Sequence, residues 1–400
     1  MTALSGVRVV DASEGVAGGY CTKLLAGLGA DVIKVERPGI GDTLRRTGPF
    51  LHDIPHVETS ALHLHLGAAK RSITLDITAA SGAALLLRLL ARADVFISRH
   101  AAPLPASLSV AALSRRFPEL VVTSITPFGT TGPRAGARAT DIVAHAMGGY
   151  LAMTGDPDRG PVKPYGHQAE YQAGLHAALG VVAGLMSRER CGADGQQVDA
   201  SMAEASSFLI GGALARASVF GRESTRNGAR PVGLPPEYLY PSTIRPCAGG
   251  HVYVHRHNRF PDLLAALMQE PRLAAPDVLA GPLGHADETD ALIDRWLASR
   301  DKWRAVAEAQ ELRVPFTEVL DPGEVVEDRL GQHTARDCFV DVEQPAAGTV
   351  RMPGAPVVMP ATPWAMRPAP LLGEHNEEVF AVELGLSRRG LARLSAAGVV

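Results

Sequence analysis

Apolar positions recur along the first two hundred residues in two alternating rhythms. Short runs dense in β-branched residues (VRVVDAS, ADVIKVER, RSITLDI, DVFISR and LVVTSITPFG) alternate with stretches of three-and-four spacing such as YCTKLLAGLG, SGAALLLRLLARA and AALSRRFP. The first kind predicts strands and the second helices, and their alternation predicts a parallel sheet covered by helices. LVVTSITPFG is apolar enough for a strand buried on both faces. TDIVAHAMGGYLAMTG predicts a helix ending at Gly155, QQVDASM a strand, and AEASSFLIGGALA one further helix. A long helix is expected to begin beside Glu170. There Leu175, Ala178, Leu179, Val182, Leu185 and Met186 fall at helical spacing and predict one buried face.

After about residue 215 the texture changes. GRESTRNGARPVGLPPEYLYPSTIRPCAGG is rich in Gly, Pro, Arg and Ser and predicts an extended connection. Beyond it HVYVHRH predicts a strand, and FPDLLAALMQ, DETDALIDRWLASR and RDKWRAVAEAQELR predict helices. These patterns divide the chain into a first part of a large α/β domain (1–215), a linker (216–235), a smaller α+β domain (236–322) and a tail (323–400). Pattern alone leaves open which domain the tail joins.

Composition narrows the function classes. Four hundred residues with 46% hydrophobic and 20% charged side chains fit two associated domains, and a net charge of -3 offers no field to recruit nucleic acid or an anionic membrane. Cys21, Cys191, Cys247 and Cys338 form no C-x-x-C pair, which fits a reducing cytoplasm rather than a disulfide framework. No run approaches the roughly 18 apolar residues of a membrane span, and MTALSGVRVVDAS lacks the build of a secretory leader. A soluble, cytoplasmic protein is expected.

Glu170 is the leading candidate for chemistry. In the first turn of a helix the free N–H groups and the dipole favour an anion, so the carboxylate should stay ionised and available as a nucleophile. A first-turn acid can equally be a capping partner. Gly15 to Gly19, after the strand VRVVDAS, lie where a Rossmann unit carries its phosphate loop, with Glu36 ending the next strand. The glycines do not follow G-x-G-x-x-G, however, so a nicotinamide or flavin site is not predicted. The cations Arg37, Arg45, Arg46, Lys70 and Arg71 sit at strand ends, where α/β proteins gather ligands and where phosphates suit them. His63 and His65, and His251, His255 and His257, have no carboxylate at metal-ligand spacing, so no metal is expected. The chain also lacks a G-x-S-x-G elbow.

Several segments together resemble the class III CoA-transferases, the CaiB/BaiF family with formyl-CoA and carnitine CoA-transferases among its members. They are LAGLGADVIKVERPGIGD, KRSITLD, ARADVFI, TSITPFGTTGP, TDIVAHAMGG, DGQQVDASMAEA and PLLGEHNEEVFAVELGLS, spread over nearly the whole chain. The resemblance implies a Rossmann-like large domain built from both chain ends, to which residues 323–400 return, plus a small domain and an interlocked homodimer. It implies transfer of CoA from an acyl-CoA donor to a carboxylic acid acceptor, with CoA as substrate and no other cofactor. The family nucleophile is an aspartate in D-x-x-x-G, and the matching segment runs from Glu170 to Gly174. Glu keeps the carboxylate with an intrinsic pKa of about 4.3 against 3.9, but the extra methylene moves it by about an ångström. By the same carry-over Val16 and Ala17 belong to the active-site loop, Arg37 and Lys70 face the CoA nucleotide, and Arg138 lies near its phosphates.

The chain departs from the family pattern in places. SRHAAPLPASL replaces part of the expected CoA wall, and GLPPEYLYPST stands where formyl-CoA transferase has a glycine-rich loop. Thr140 occupies the position of a racemase histidine, which disfavours epimerisation. Two alternatives remain beside CoA transfer: a racemase or lyase using Glu170 as a base, and a catalytically weak CoA-binding partner subunit. Tyr165, His167, Tyr238 and Tyr240 are candidate linings of an acyl pocket.

Overall fold

The computed structural model describes residues 2–99, 105–226, 228–230, 240–257 and 259–400. Six strands, β1 (Arg8–Ser13), β2 (Asp31–Glu36), β3 (Arg71–Thr74), β4 (Val95–Arg99), β5 (Val121–Thr126) and β6 (Gln197–Ser201), form one sheet in the order β3-β2-β1-β4-β5-β6. All five pairings are parallel. The order reverses between β1 and β4, as in Rossmann folds.

Alternation along each strand feeds two cores. Val9 packs on one face with Ala17, Cys21, Leu25, Ala173, Ala177 and Val181, whereas Val10 packs on the other with Leu86, Leu89, Leu90 and Phe380. The helices Val16–Gly27 and Gln168–Cys191 supply the first layer, and Ala80–Leu90 with Glu377–Glu383 the second. The chain's last segment is stitched to β3 by backbone hydrogen bonds. The N–H of His375 donates to Ser72 O (2.9 Å), and that of Asp76, just past the strand, to Val399 O (2.8 Å).

The chain separates into two compact units: residues 1–148, 165–208 and 331–400, and residues 149–164 and 209–330. This differs from the expected boundaries chiefly at 149–164, which belongs with the second unit. The expected helix through Gly155 stops at Met147, because Gly148 and Gly149 follow and Gly149 takes a φ of 83°. The second unit holds an antiparallel sheet of Ser242–Cys247, Gly250–His255 and Thr317–Val319. Its core joins Val252, Val254, Leu264, Ile293, Leu297 and Phe316. The expected helix AEASSFLIGGALA is two helices, Met202–Phe208 and Gly211–Phe220.

The face of the Gln168–Cys191 helix that meets the sheet is not the predicted one. Ala169, Ala173, Gly174, Ala177, Val181 and Gly184 are buried, and of the expected stripe only Ala178 and Leu185 are. Leu175, Leu179 and Met186 are 45%, 67% and 44% exposed. Close approach to a neighbouring helix selects small residues over large apolar ones, so the stripe of leucines is displaced toward the outside.

Candidate active site

The Gln168–Cys191 helix starts where Glu170 was expected to lie, and its first turn is held by a residue distant in sequence. Asp141 Oδ1 accepts from the N–H of Ala169 (2.8 Å) and of Glu170 (3.2 Å), while His167 at the N-cap position makes no capping bond of its own. Two of the free amides at the helix start are therefore satisfied by a carboxylate, the group the dipole favours there. Asp141 is itself the first residue of the helix Asp141–Met147, where it lies 3.7 Å from His145 Nε2. His145 is fully buried, and its Nδ1 is 2.8 Å from Ser206 Oγ. Asp141 thus fixes the turn that carries Glu170, with the His145–Ser206 pair beside it.

The Glu170 side chain is buried, 9% exposed as a residue, and its Oε2 lies 3.2 Å from His167 Nδ1. One turn further, Gly174 sets the helix crossing. A Cβ there would sit 2.5 Å from Ala17 O and 3.2 Å from Cys21 N. Only glycine lets the two backbones approach this closely, and the approach brings Val16 and Ala17 beside the start of the Glu170 helix. Tyr20 and Tyr171 meet edge to face at 4.9 Å, and burial, with Tyr20 and the Glu170 carboxylate beside it, holds the Tyr171 phenol above its ordinary pKa.

A cavity of about 400 Å³ opens at the carboxyl ends of β1, β2 and β3. Arg37 stands on its wall, 44% exposed in its side chain and 2.7 Å from Glu14 Oε1 through Nε. Leu75 and Thr78, which follow β3, line the opposite side and were not singled out from sequence. Nothing but their position after a strand end marks them.

Three expected cations lie away from the cavity wall. Lys70 is buried, and its ammonium donates to Thr22 Oγ1 (2.6 Å) and Gly19 O (3.0 Å) at 3.7 Å from Asp11. Burial, opposed by Asp11, lowers its pKa to about 8. Lys34 is buried close by. Burial works against its charge, but Asp11 and Asp42, the latter at 2.8 Å, outweigh this and keep it protonated above the ordinary range. Arg45 is fully buried and forked onto Glu36 (Nε–Oε2 2.7 Å, Nη2–Oε1 2.9 Å), with Glu58 on its other side. Arg45 and Glu36 neutralise each other inside the protein. Arg138 is exposed in the segment before Asp141 and is not part of the cavity wall.

The tyrosines also separate. Tyr240 is buried in the second unit, where its hydroxyl donates to Asp290, and Tyr165 is 97% exposed. Tyr238 lies outside the described residues, as does most of GLPPEYLYPST. Among the described residues no helix is long and apolar enough to cross a membrane.

The structure thus offers a parallel sheet with a ligand-sized cavity at its strand ends and a buried carboxylate at a helix start, and comparison with known proteins gives the family. Residues 4–376 match CoA-transferase family III. The chain is 32% identical to a formyl-CoA:oxalate CoA-transferase of Streptomyces coelicolor, over 100% of this chain and 99% of that protein. It is also 32% identical to a succinyl-CoA:mesaconate CoA-transferase of Haloarcula hispanica, over 95% and 96%. The crystal structure of a CAIB/BAIF family protein from Brucella suis superposes with a TM-score of 0.84 at 27% identity, covering 95% of this chain and 99% of that one. The chain belongs to CoA-transferase family III and is an acyl-CoA:carboxylate CoA-transferase.

Substitutions at two positions test how the site is held. Asp141→Ala removes the cap and is expected to cost about 1 kcal/mol in denaturant unfolding and to lower kcat, whereas Asp141→Asn, which keeps an acceptor oxygen, should retain most of both. Gly174→Ala forces a Cβ onto Ala17 O. It is expected to cost about 1–3 kcal/mol, as overpacking does, and to lower kcat by shifting the helix that carries Glu170.

Proposed function

We propose that Glu170 is the covalent nucleophile of CoA transfer, working through a glutamyl anhydride and a glutamyl-CoA thioester. The observation that carries this reading is its placement: a buried carboxylate in the first turn of a helix whose amides are fixed by Asp141. One Glu170 oxygen attacks the thioester carbonyl of the donor, the thiolate of CoA leaves, and an acyl-glutamyl anhydride forms. The thiolate then attacks the glutamyl carbonyl, which releases the donor acid and leaves the enzyme as a thioester. The acceptor carboxylate reverses both steps. A carboxylate suits this exchange because each acyl derivative of it stays as activated as the thioester it replaces.

Val16 and Ala17 flank the reacting end of the ester, and Arg37, on the wall of the strand-end cavity, binds a CoA phosphate. Lys70 supports this loop from behind through Gly19 and Thr22 rather than touching CoA. Formate, oxalate, succinate and mesaconate, the acids in the relatives' names, define the donors and acceptors to try first.

A homodimer is part of the same reading. Leu175, Leu179 and Met186 form an exposed apolar stripe on the Glu170 helix, and Ile142, Val143, Met147 and Phe208 are exposed on helices beside it. Apolar surface in such quantity on an enzyme core fits burial against a second copy.

Glu170→Ala is expected to abolish transfer while leaving folding and CoA binding intact, and intact-protein mass spectrometry with acyl-CoA donors should show an adduct confined to the Glu170 peptide. Turnover by Glu170→Ala overturns the mechanism. Glu170→Asp pulls the carboxylate back by about an ångström, a displacement that can cost about 100-fold. Leu179→Glu is expected to convert the dimer to monomer by sedimentation, and an unchanged sedimentation coefficient argues against this face as the interface.

A further inference from the structure

Two half-reactions proceed through the carboxyl carbon of Glu170 itself, and each places negative charge on the glutamyl oxygen that did not form the new bond. That oxygen needs a hydrogen-bond donor held in place beforehand. The backbone amides of Ala169 and Glu170, the anion receivers of this helix start, already bond to Asp141 Oδ1. His167 is placed otherwise. Its Nδ1 lies 3.2 Å from Glu170 Oε2, a position from which a protonated Nδ1 donates to an ionised carboxylate. The spacing of three residues across the first turn brings the two side chains to one face of the helix start. Beside them stand Asp141, with His145 behind it, and Tyr171, whose ring meets that of Tyr20. His167 remains 40% exposed in its side chain.

We propose that His167 is a catalytic residue, the donor that stabilises the oxyanion on Glu170 Oε2 while the glutamyl carbon is attacked. This rests on the covalent role of Glu170. With Oε2 held by Nδ1–H, Oε1 is the atom that attacks the donor thioester. Once the anhydride exists, Oε2 is its glutamyl carbonyl oxygen. Attack by the CoA thiolate at Cδ pushes the electron pair onto Oε2, where Nδ1–H receives it. Collapse returns the pair, breaks the Cδ–Oε1 bond and releases the donor acid as its carboxylate, leaving Cδ bonded to sulfur. Oε1 leaves with the acid, and the acceptor carboxylate replaces it in the reverse half-reaction. No net proton is transferred. The first step, attack on the donor's acyl carbon, puts its charge on the substrate oxygen and does not use His167.

The two halves of the reaction therefore separate in a variant lacking this donor. His167→Leu removes the N–H at nearly constant shape, and His167→Asn keeps an N–H near the place of Nδ1. With succinyl-CoA, formyl-CoA or oxalyl-CoA, His167→Leu is expected to lose about 10²–10³ in kcat, the cost of one oxyanion donor, at unchanged KM for the ester. Intact mass should show the acyl adduct on Glu170 accumulating in place of the CoA adduct. His167→Asn should restore the CoA adduct. A CoA adduct formed by His167→Leu at the wild-type rate overturns the proposal, as does an equal slowing of both adducts in both variants, which marks a purely structural residue. Glu170→Ala run alongside separates the two claims: activity there removes the covalent mechanism, whereas an inactive Glu170→Ala beside a fully active His167→Leu removes only the role of His167.

Discussion

The site depends on one close crossing. Gly174 has no side chain where Ala17 O and Cys21 N approach it, so the helices Val16–Gly27 and Gln168–Cys191 lie backbone against backbone. With Ala169, Ala173, Ala177 and Val181 along the same face, that crossing seats the longer helix on the sheet and fixes where its first turn ends. Glu170 projects from that turn. Its position therefore follows from the packing of small residues one and two turns away, and the cap from Asp141 adds orientation to a helix already in place.

Charge is distributed by the same logic of place. Along and beside the first three strands Asp11, Lys34, Glu36, Asp42, Arg45 and Lys70 are all buried, and these are mutually paired or hydrogen-bonded. Asp42 also accepts from the N–H of Gly15 (3.0 Å) and of Leu44 (2.8 Å), which ties the loop before the first helix to the loop after β2. Each of these charges is compensated internally, and removing one partner leaves the other buried and alone. Arg37, beyond this layer, is the cation that reaches the cavity.

Much of this could be read from the chain. The six strands of the large sheet and most of the helices follow from the period of apolar residues, because a strand buried on both faces and a helix with an apolar stripe leave different spacings. Glu170 stood out as an acid at a helix start, four residues before a glycine. The burial of Lys70 and Arg45 against partners could not be read from the chain, because a strand-end charge looks the same in sequence whether it faces water or a partner of opposite sign. The stripe of Leu175, Leu179 and Met186 was misread because hydrophobic spacing identifies an apolar face without saying whether the sheet or another molecule covers it.

The sequence by itself determined the α/β class, the strands and helices along the large domain and the second unit's α+β character, and it placed an acid, Glu170, at a helix start, all of which depend on neighbours within one or two turns. Tertiary structure decided what depends on residues far apart. It paired Asp141 with the amides of Ala169 and Glu170, Lys70 with Asp11, and Arg45 with Glu36 and Glu58. It also chose the small-residue face of the Glu170 helix for the core. A local pattern records periodicity and residue type, whereas the partner of a buried charge and the depth of a helix crossing are set by backbone approach in three dimensions.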